Sequence, residues 1–200
     1  MSPPPENPAC SPSVSSTHEE FTPQERAILL RLARFSIAAA LAGKKISLEP
    51  PSHHLAEPRG AFTTIYVRGE LRGCVGYVSA VHSLYRTVAE TARSAAFEDA
   101  RFPPLCGEDM ASLAVSVSIL SPTYPIQPEE IIVGKHGLLI SQHGRRGLLL
   151  PQVPVEHGWD RTTFLEQTCR KAGLPMDAWR MGATLEGFTA EVFGDQDVPA

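Results

Sequence analysis

At 200 residues, with 42% hydrophobic and 20% charged side chains, the chain has the size of one globular domain and enough apolar side chains for a core. The best candidate for a membrane span, Ile37 to Leu41, falls far short of the roughly 18 apolar residues required, so no membrane partner is expected. A formal charge of −4, from 18 Lys+Arg against 22 Asp+Glu, removes the bulk attraction used by non-specific nucleic-acid binders, so no nucleic acid is expected either. Cys10, Cys74, Cys106 and Cys169 form no Cys-x-x-Cys pair, which argues against zinc ribbons, iron–sulfur clusters and thioredoxin-type motifs. The start MSPPPENPAC lacks the basic patch and apolar stretch of a secretory signal, so a cytoplasmic location and free thiols are expected.

Residues 1–20 are rich in Pro, Ser and Thr and read as a disordered tail, with Cys10 and His18 incidental to function; an ordered domain follows over 21–195. Thr22, Pro23 and Glu25 spell an N-cap, a first-turn proline and a capping box, opening a helix that Gly43 stops. Its two apolar rows, including Ile28, Leu32 and Phe35, predict burial over most of its girth. Ala61 to Val67 and Leu71 to Val78 read as a hairpin, and Ser83 caps a helix that runs to Phe97. Arg101-Phe102-Pro103-Pro104 then breaks the chain, because proline lacks a donor and restricts the residue before it. LAVSVSIL over 113–120 alternates as a half-buried strand; Ile131 to Val133, Leu138 to Ile140 and Leu148 to Leu150 predict further short strands. Asp160 or Thr162 caps a helix that ends near Ala172, and a strand from Thr184 to Phe193 closes the domain. Hairpin-linked strands interrupted by three helices give an α+β fold with mainly antiparallel sheet flanked by helices.

In Leu71-Arg72-Gly73-Cys74-Val75-Gly76, Gly73 and Gly76 flank a cysteine on a predicted strand, where glycine marks a bulge or a close approach by backbone or ligand. Arg72 shares the strand face of Cys74 if the strand is regular, placing a cation beside the thiol; the competing reading is a buried small hydrophobe. Asp99 and Arg101 either present a polar pair to a cleft or staple their loop to the core, the second being favoured. His53 and His54 are adjacent and lack ligand spacing, so no metal is expected, while His136 and His143 sit in turns beside glycines. Trp159 before a helix start either lines a pocket or anchors its connection, the second again favoured. No Walker A, G-x-G-x-x-G, G-x-S-x-G or H-E-x-x-H occurs, and no cofactor is expected.

LRGCVG, AAFEDARFPPL, VSVSIL, GKHGLLI, GLLLPQVPVEHGWD and KAGLP occur in an order that resembles the AMMECR domain family, whose prokaryotic members are called AmmeMemoRadiSam system protein A, over about residues 22–193. The signature is LRGC(I/V)G, with Val75 where isoleucine is frequent. The resemblance implies a larger and a smaller subdomain with a cleft between them, and relatives encoded beside Memo-like and radical SAM proteins; it implies no known reaction. Two functions follow as expectations. One is a ligand- or partner-binding module working with Memo-like and radical SAM proteins, holding a small molecule or peptide in the cleft with Arg72, Gly73, Gly76, Asp99, Arg101 and Trp159 as candidate binding residues. The other is an enzyme with Cys74 as nucleophile and His136 as base, acting on a small molecule or modified substrate.

Overall fold

A computed structural model describes residues 20–197, so the expected tail, with Cys10 and His18, lies outside the described residues apart from Glu20. The first helix, α1 (Pro23–Leu41), has the expected start: the Thr22 hydroxyl accepts from the Glu25 amide, and the Glu25 carboxylate accepts from the Thr22 amide. It buries one broad face, Leu29, Leu30, Leu32, Ala33 and Ile37, but Phe35 stands 60% exposed, outside the buried girth expected for it. A one-turn helix, α2 (His53–Ala56), is capped by Ser52 and carries His53 and His54.

The hairpin β1 (Ala61–Val67) and β2 (Glu70–Tyr77) turns at Arg68 and Gly69, both at positive φ (54° and 81°), the two-residue geometry that matches strand twist. Helix α3 (Leu84–Phe97) begins at Ser83, whose hydroxyl accepts from the Arg86 amide, and packs small alanines against the sheet. Strand β3 (Leu113–Leu120) pairs with β1, and β8 (Ala190–Gly194) pairs with β3, giving the antiparallel order β2-β1-β3-β8. One face of this sheet, Ala61, Ile65, Val115, Val117 and Phe193 among others, forms the main core with α1 and α3.

A second antiparallel sheet, order β4-β7-β5-β6, is built from β4 (Tyr124–Pro125), β5 (Gly137–Gln142), β6 (Arg145–Leu149) and β7 (Thr184–Phe188). Against it packs α5 (Arg161–Lys171), capped by Asp160, while α4 (Gln152–Glu156) precedes Trp159. The larger and smaller subdomains thus each own a sheet. Where the chain crosses between them, the Ser121 amide donates to the Thr189 carbonyl and the Thr189 amide to the Ser121 hydroxyl, both at 2.9 Å.

Two expected strands change. The single strand predicted from Thr184 to Phe193 is β7 and β8, divided at Thr189 and shared between the two sheets. Ile131 to Val133 forms a turn instead, because the amides of Lys135 and His136 both return to the Ile132 carbonyl and Gly134 takes φ +85°. Ile131 is still buried in the second core.

Gly73 is where α3 touches the sheet. A Cβ there would sit 2.0 Å from the Ala95 carbonyl oxygen, a backbone atom that cannot step aside. Gly73→Ala is expected to lower unfolding free energy by about 2–3 kcal/mol in urea denaturation, whereas Gly107→Ala, with open space around its Cβ position, changes it by less than about 0.5 kcal/mol. Equal effects of the two would refute the packing role of Gly73.

Candidate functional site

The signature cysteine lies on β2, the edge strand of the first sheet. Cys74 pairs with Thr64 on the face away from α1 and α3, and the Thr64 hydroxyl donates to Sγ at 3.3 Å. Because Cys74 is one of the residues whose amide and carbonyl point off the edge, it needs partners outside the sheet. Asp99 and Arg101 supply them. Asp99 Oδ2 accepts the Cys74 amide at 2.9 Å, and Arg101 Nη2 donates to the Cys74 carbonyl at 3.2 Å. The two side chains are locked together by Nε to Oδ1 at 2.9 Å and Nη2 to Oδ2 at 2.7 Å, a two-pronged guanidinium–carboxylate pair. Together they occupy the place of a neighbouring strand for one rung of the sheet.

The electrostatics follow from that pairing. The Arg101 guanidinium, then the Cys74 amide, hold the Asp99 carboxyl far below the ordinary carboxylate range; Asp99 in turn raises Arg101. The Asp99 side chain is 7% exposed and that of Arg101 60%, so the pair has a buried foot and a solvated head. Arg101 also lies over the Phe102 ring, 5.3 Å from its centroid.

The glycines serve packing. Gly73 admits Ala95, and at Gly76 a Cβ would fall 2.2 Å from two ring carbons of Phe62, so both spaces are already filled by protein. Gly76 nonetheless also lines a cavity of about 380 Å³, with Tyr77, Val78, Ser79, Val81 and His82. Arg72 is also placed differently. Ile65 pairs with Gly73 and Tyr66 with Leu71, so Arg72 is the extra residue of a β-bulge rather than a regular same-face neighbour of Cys74. Its guanidinium donates to the Pro103 carbonyl, fastening the same loop that carries Arg101.

His136 and Trp159 belong to the second subdomain. His136 is buried, and its Nδ1 accepts the Ile132 amide at 3.2 Å, which assigns the ring proton to Nε2. Burial, helped by the charge of Lys135, lowers its pKa and keeps the ring neutral. With one nitrogen engaged and the other protonated, the ring is not arranged as a base toward Cys74. Trp159 packs on the second core and stacks on His157 at 4.7 Å, the anchoring role favoured for it. Among the described residues, no group of three or more His, Cys, Asp or Glu side chains is placed to hold a metal ion.

What the register does assemble is a sheet face. Across it run Cys74, Thr64, Ser116 and Gly194 in one row, with Gly76, Phe62, Ser118 and Val192 in the next and Leu71, Tyr66 and Ala114 on the other side. A row of small groups is therefore flanked by two aromatic rings. Strands about 4.8 Å apart make this floor roughly 14 Å wide. Its Cys74 end is bordered by Asp99 and Arg101, while at the far end α4 and the Lys135 turn stand over Ala190 and Val192. Thr64, Ser116 and Phe62 thus share the sheet face of Cys74, a grouping that the motifs alone do not reveal.

Asp99 gives a pH prediction. Its folded pKa lies below the value of about 3.9 expected when unfolded, so ionised Asp99 stabilises the fold at every pH above that range, and the contribution is lost as pH falls toward the depressed value. In urea denaturation, wild type is expected to exceed Asp99→Ala in stability at neutral pH, with the gap closing as pH falls below the ordinary carboxylate range. A gap that stays unchanged as pH falls through that acidic window would rule the pairing out.

The sequence model of the AMMECR1 family matches residues 30–193. Protein MK0488 of Methanopyrus kandleri is 41% identical over 191 residues, covering 90% of this chain and 92% of that protein. Protein MJ0810 of Methanocaldococcus jannaschii is 43% identical over 183 residues, covering 86% and 91%. The crystal structure of protein PH0010 from Pyrococcus horikoshii superposes with a TM-score of 0.75 at 39% identity, covering 86% of this chain and 93% of that one. With the family's sequence pattern spanning both subdomains and a solved relative sharing their architecture, the chain belongs to the AMMECR1 family.

Proposed function

We propose that the chain is a binding module that receives a ligand or partner across the open face of the first sheet and works with Memo-like and radical SAM proteins. The observation that carries this reading is the division of labour around Cys74: Asp99 and Arg101 are spent on its main chain, no imidazole touches its sulfur among the described residues, and Thr64, Ser116, Phe62 and Tyr66 lie half-buried around it on the sheet face away from α1 and α3. A rigid, half-buried floor with aromatic flanks suits recognition, where preorganisation limits the ordering cost of binding. A Memo-like or radical SAM protein is expected to co-purify with the wild-type chain. Ser116→Arg, which sets a long cation in the middle row, is expected to abolish that capture while the chain still melts in one cooperative transition. Failure of both candidate partners to bind at about 10 µM, alongside turnover of a small molecule by the isolated chain, would refute this reading.

A cysteine-dependent activity is the second reading, and the hydroxyl that Thr64 directs at Sγ favours it, because that contact holds the sulfur in one position on the sheet face. On this reading Cys74, although half-buried, is alkylated by iodoacetamide at neutral pH faster than the exposed Cys106. A slower rate at Cys74 removes the enzymatic reading and leaves the binding one.

A further inference from the structure

At the opposite end of the floor, Lys135, Gln152, Val155, Glu156, Ala190 and Val192 line a cavity of about 330 Å³, at the lower end of the roughly 300–1,000 Å³ typical of small-molecule sites. Its walls come from three separate places: the turn before β5, helix α4, and the outer face of β8. The charges within it have opposite sign, and neither has an ion-pair or side-chain hydrogen-bond partner among the described residues. The same lining carries apolar surface, with Val155 59% and Val192 57% exposed. Val155 also closes over the turn, its Cγ2 lying 3.1 Å from where a Cβ on Gly134 would stand.

We propose that this cavity binds a small apolar zwitterion, a free apolar α-amino acid or dipeptide, with its carboxylate toward Lys135, its ammonium toward Glu156 and its side chain over Val155 and Val192. Charge complementarity selects the class. A simple carboxylic acid would meet repulsion from Glu156, and a simple amine repulsion from Lys135, so only a ligand carrying both charges satisfies both groups. The exposed valines provide the apolar area that such a ligand removes from water. The size of the cavity matches an amino acid or dipeptide body.

The test is isothermal titration calorimetry of the full chain with L-leucine, L-leucyl-L-leucine, N-acetyl-L-leucine and L-leucinamide. At least one of the two zwitterions is expected to bind, and each singly charged leucine derivative to bind roughly tenfold more weakly, the loss of one charge-assisted hydrogen bond. Lys135→Met weakens the zwitterion but not leucinamide, and Glu156→Gln weakens it but not N-acetyl-leucine, a crossed pattern that misfolding does not produce. No saturable binding of either zwitterion up to about 10 mM, or equal affinity for the charged and blocked forms, overturns the proposal. Such a failure leaves partner capture at the Cys74 face untouched, since that assay needs no added zwitterion.

Discussion

Everything distinctive about the Cys74 face depends on how one rung of an edge strand is completed. An edge strand offers unpaired amides and carbonyls, and these must be met by water or by other groups. Here the rung at Cys74 is met by a carboxylate and a guanidinium joined to each other, carried on the loop that leaves α3. That loop reaches β2 only because Gly73 lets the Ala95 carbonyl come against the strand. One missing side chain therefore permits a helix contact, and the helix contact delivers the pair that closes the edge.

The consequence is a thiol held in a fixed setting. Its main chain is clamped, Gly76 beneath the Phe62 ring prevents the neighbouring turn of the strand from shifting, and Thr64 fixes the sulfur from the adjacent strand. The bulge at Arg72 then turns that arginine to the Pro103 carbonyl, so both arginines near the signature hold the same proline-rich loop from two sides. The second subdomain stands over the other end of the floor, tied at the Ser121 and Thr189 crossing, and its helix α4 closes the cavity above Val192.

Much of this fold is legible in the sequence because local rules agree with it. Thr22 and Ser83 are caps in the structure as in the reading, Asp160 is the cap of the two residues offered for α5, and the alternation of LAVSVSIL separates the two sheet faces as far as Val117, after which Ser118 and Leu120 are buried as well. The misplaced elements share a cause. Thr184 to Phe193 is a continuous strand pattern whose division at Thr189 depends on two sheets that no local signal specifies. Ile131 to Val133 is apolar because Ile131 fills the second core, a demand that a turn satisfies as well as a strand. At the site, the stapling role of Asp99 and Arg101 was readable from their spacing, but its target was not. Pairing register, which brings Thr64 and Ser116 into line with Cys74 and turns Arg72 aside at a bulge, is set by contacts between distant segments.

Amide hydrogen exchange on β2 tests the central claim most directly. Cys74 and Gly76 both direct their amides off the sheet edge, since their partners Thr64 and Phe62 lie two residues apart with no register shift between them, yet among the described residues only the Cys74 amide of the two has an acceptor. The account predicts that the Cys74 amide exchanges slowly and the Gly76 amide fast, and that Asp99→Ala makes Cys74 as fast as Gly76 while Val75, paired inward, stays protected. Rapid exchange at Cys74 in the wild-type chain, or unchanged protection there after Asp99→Ala, would contradict it.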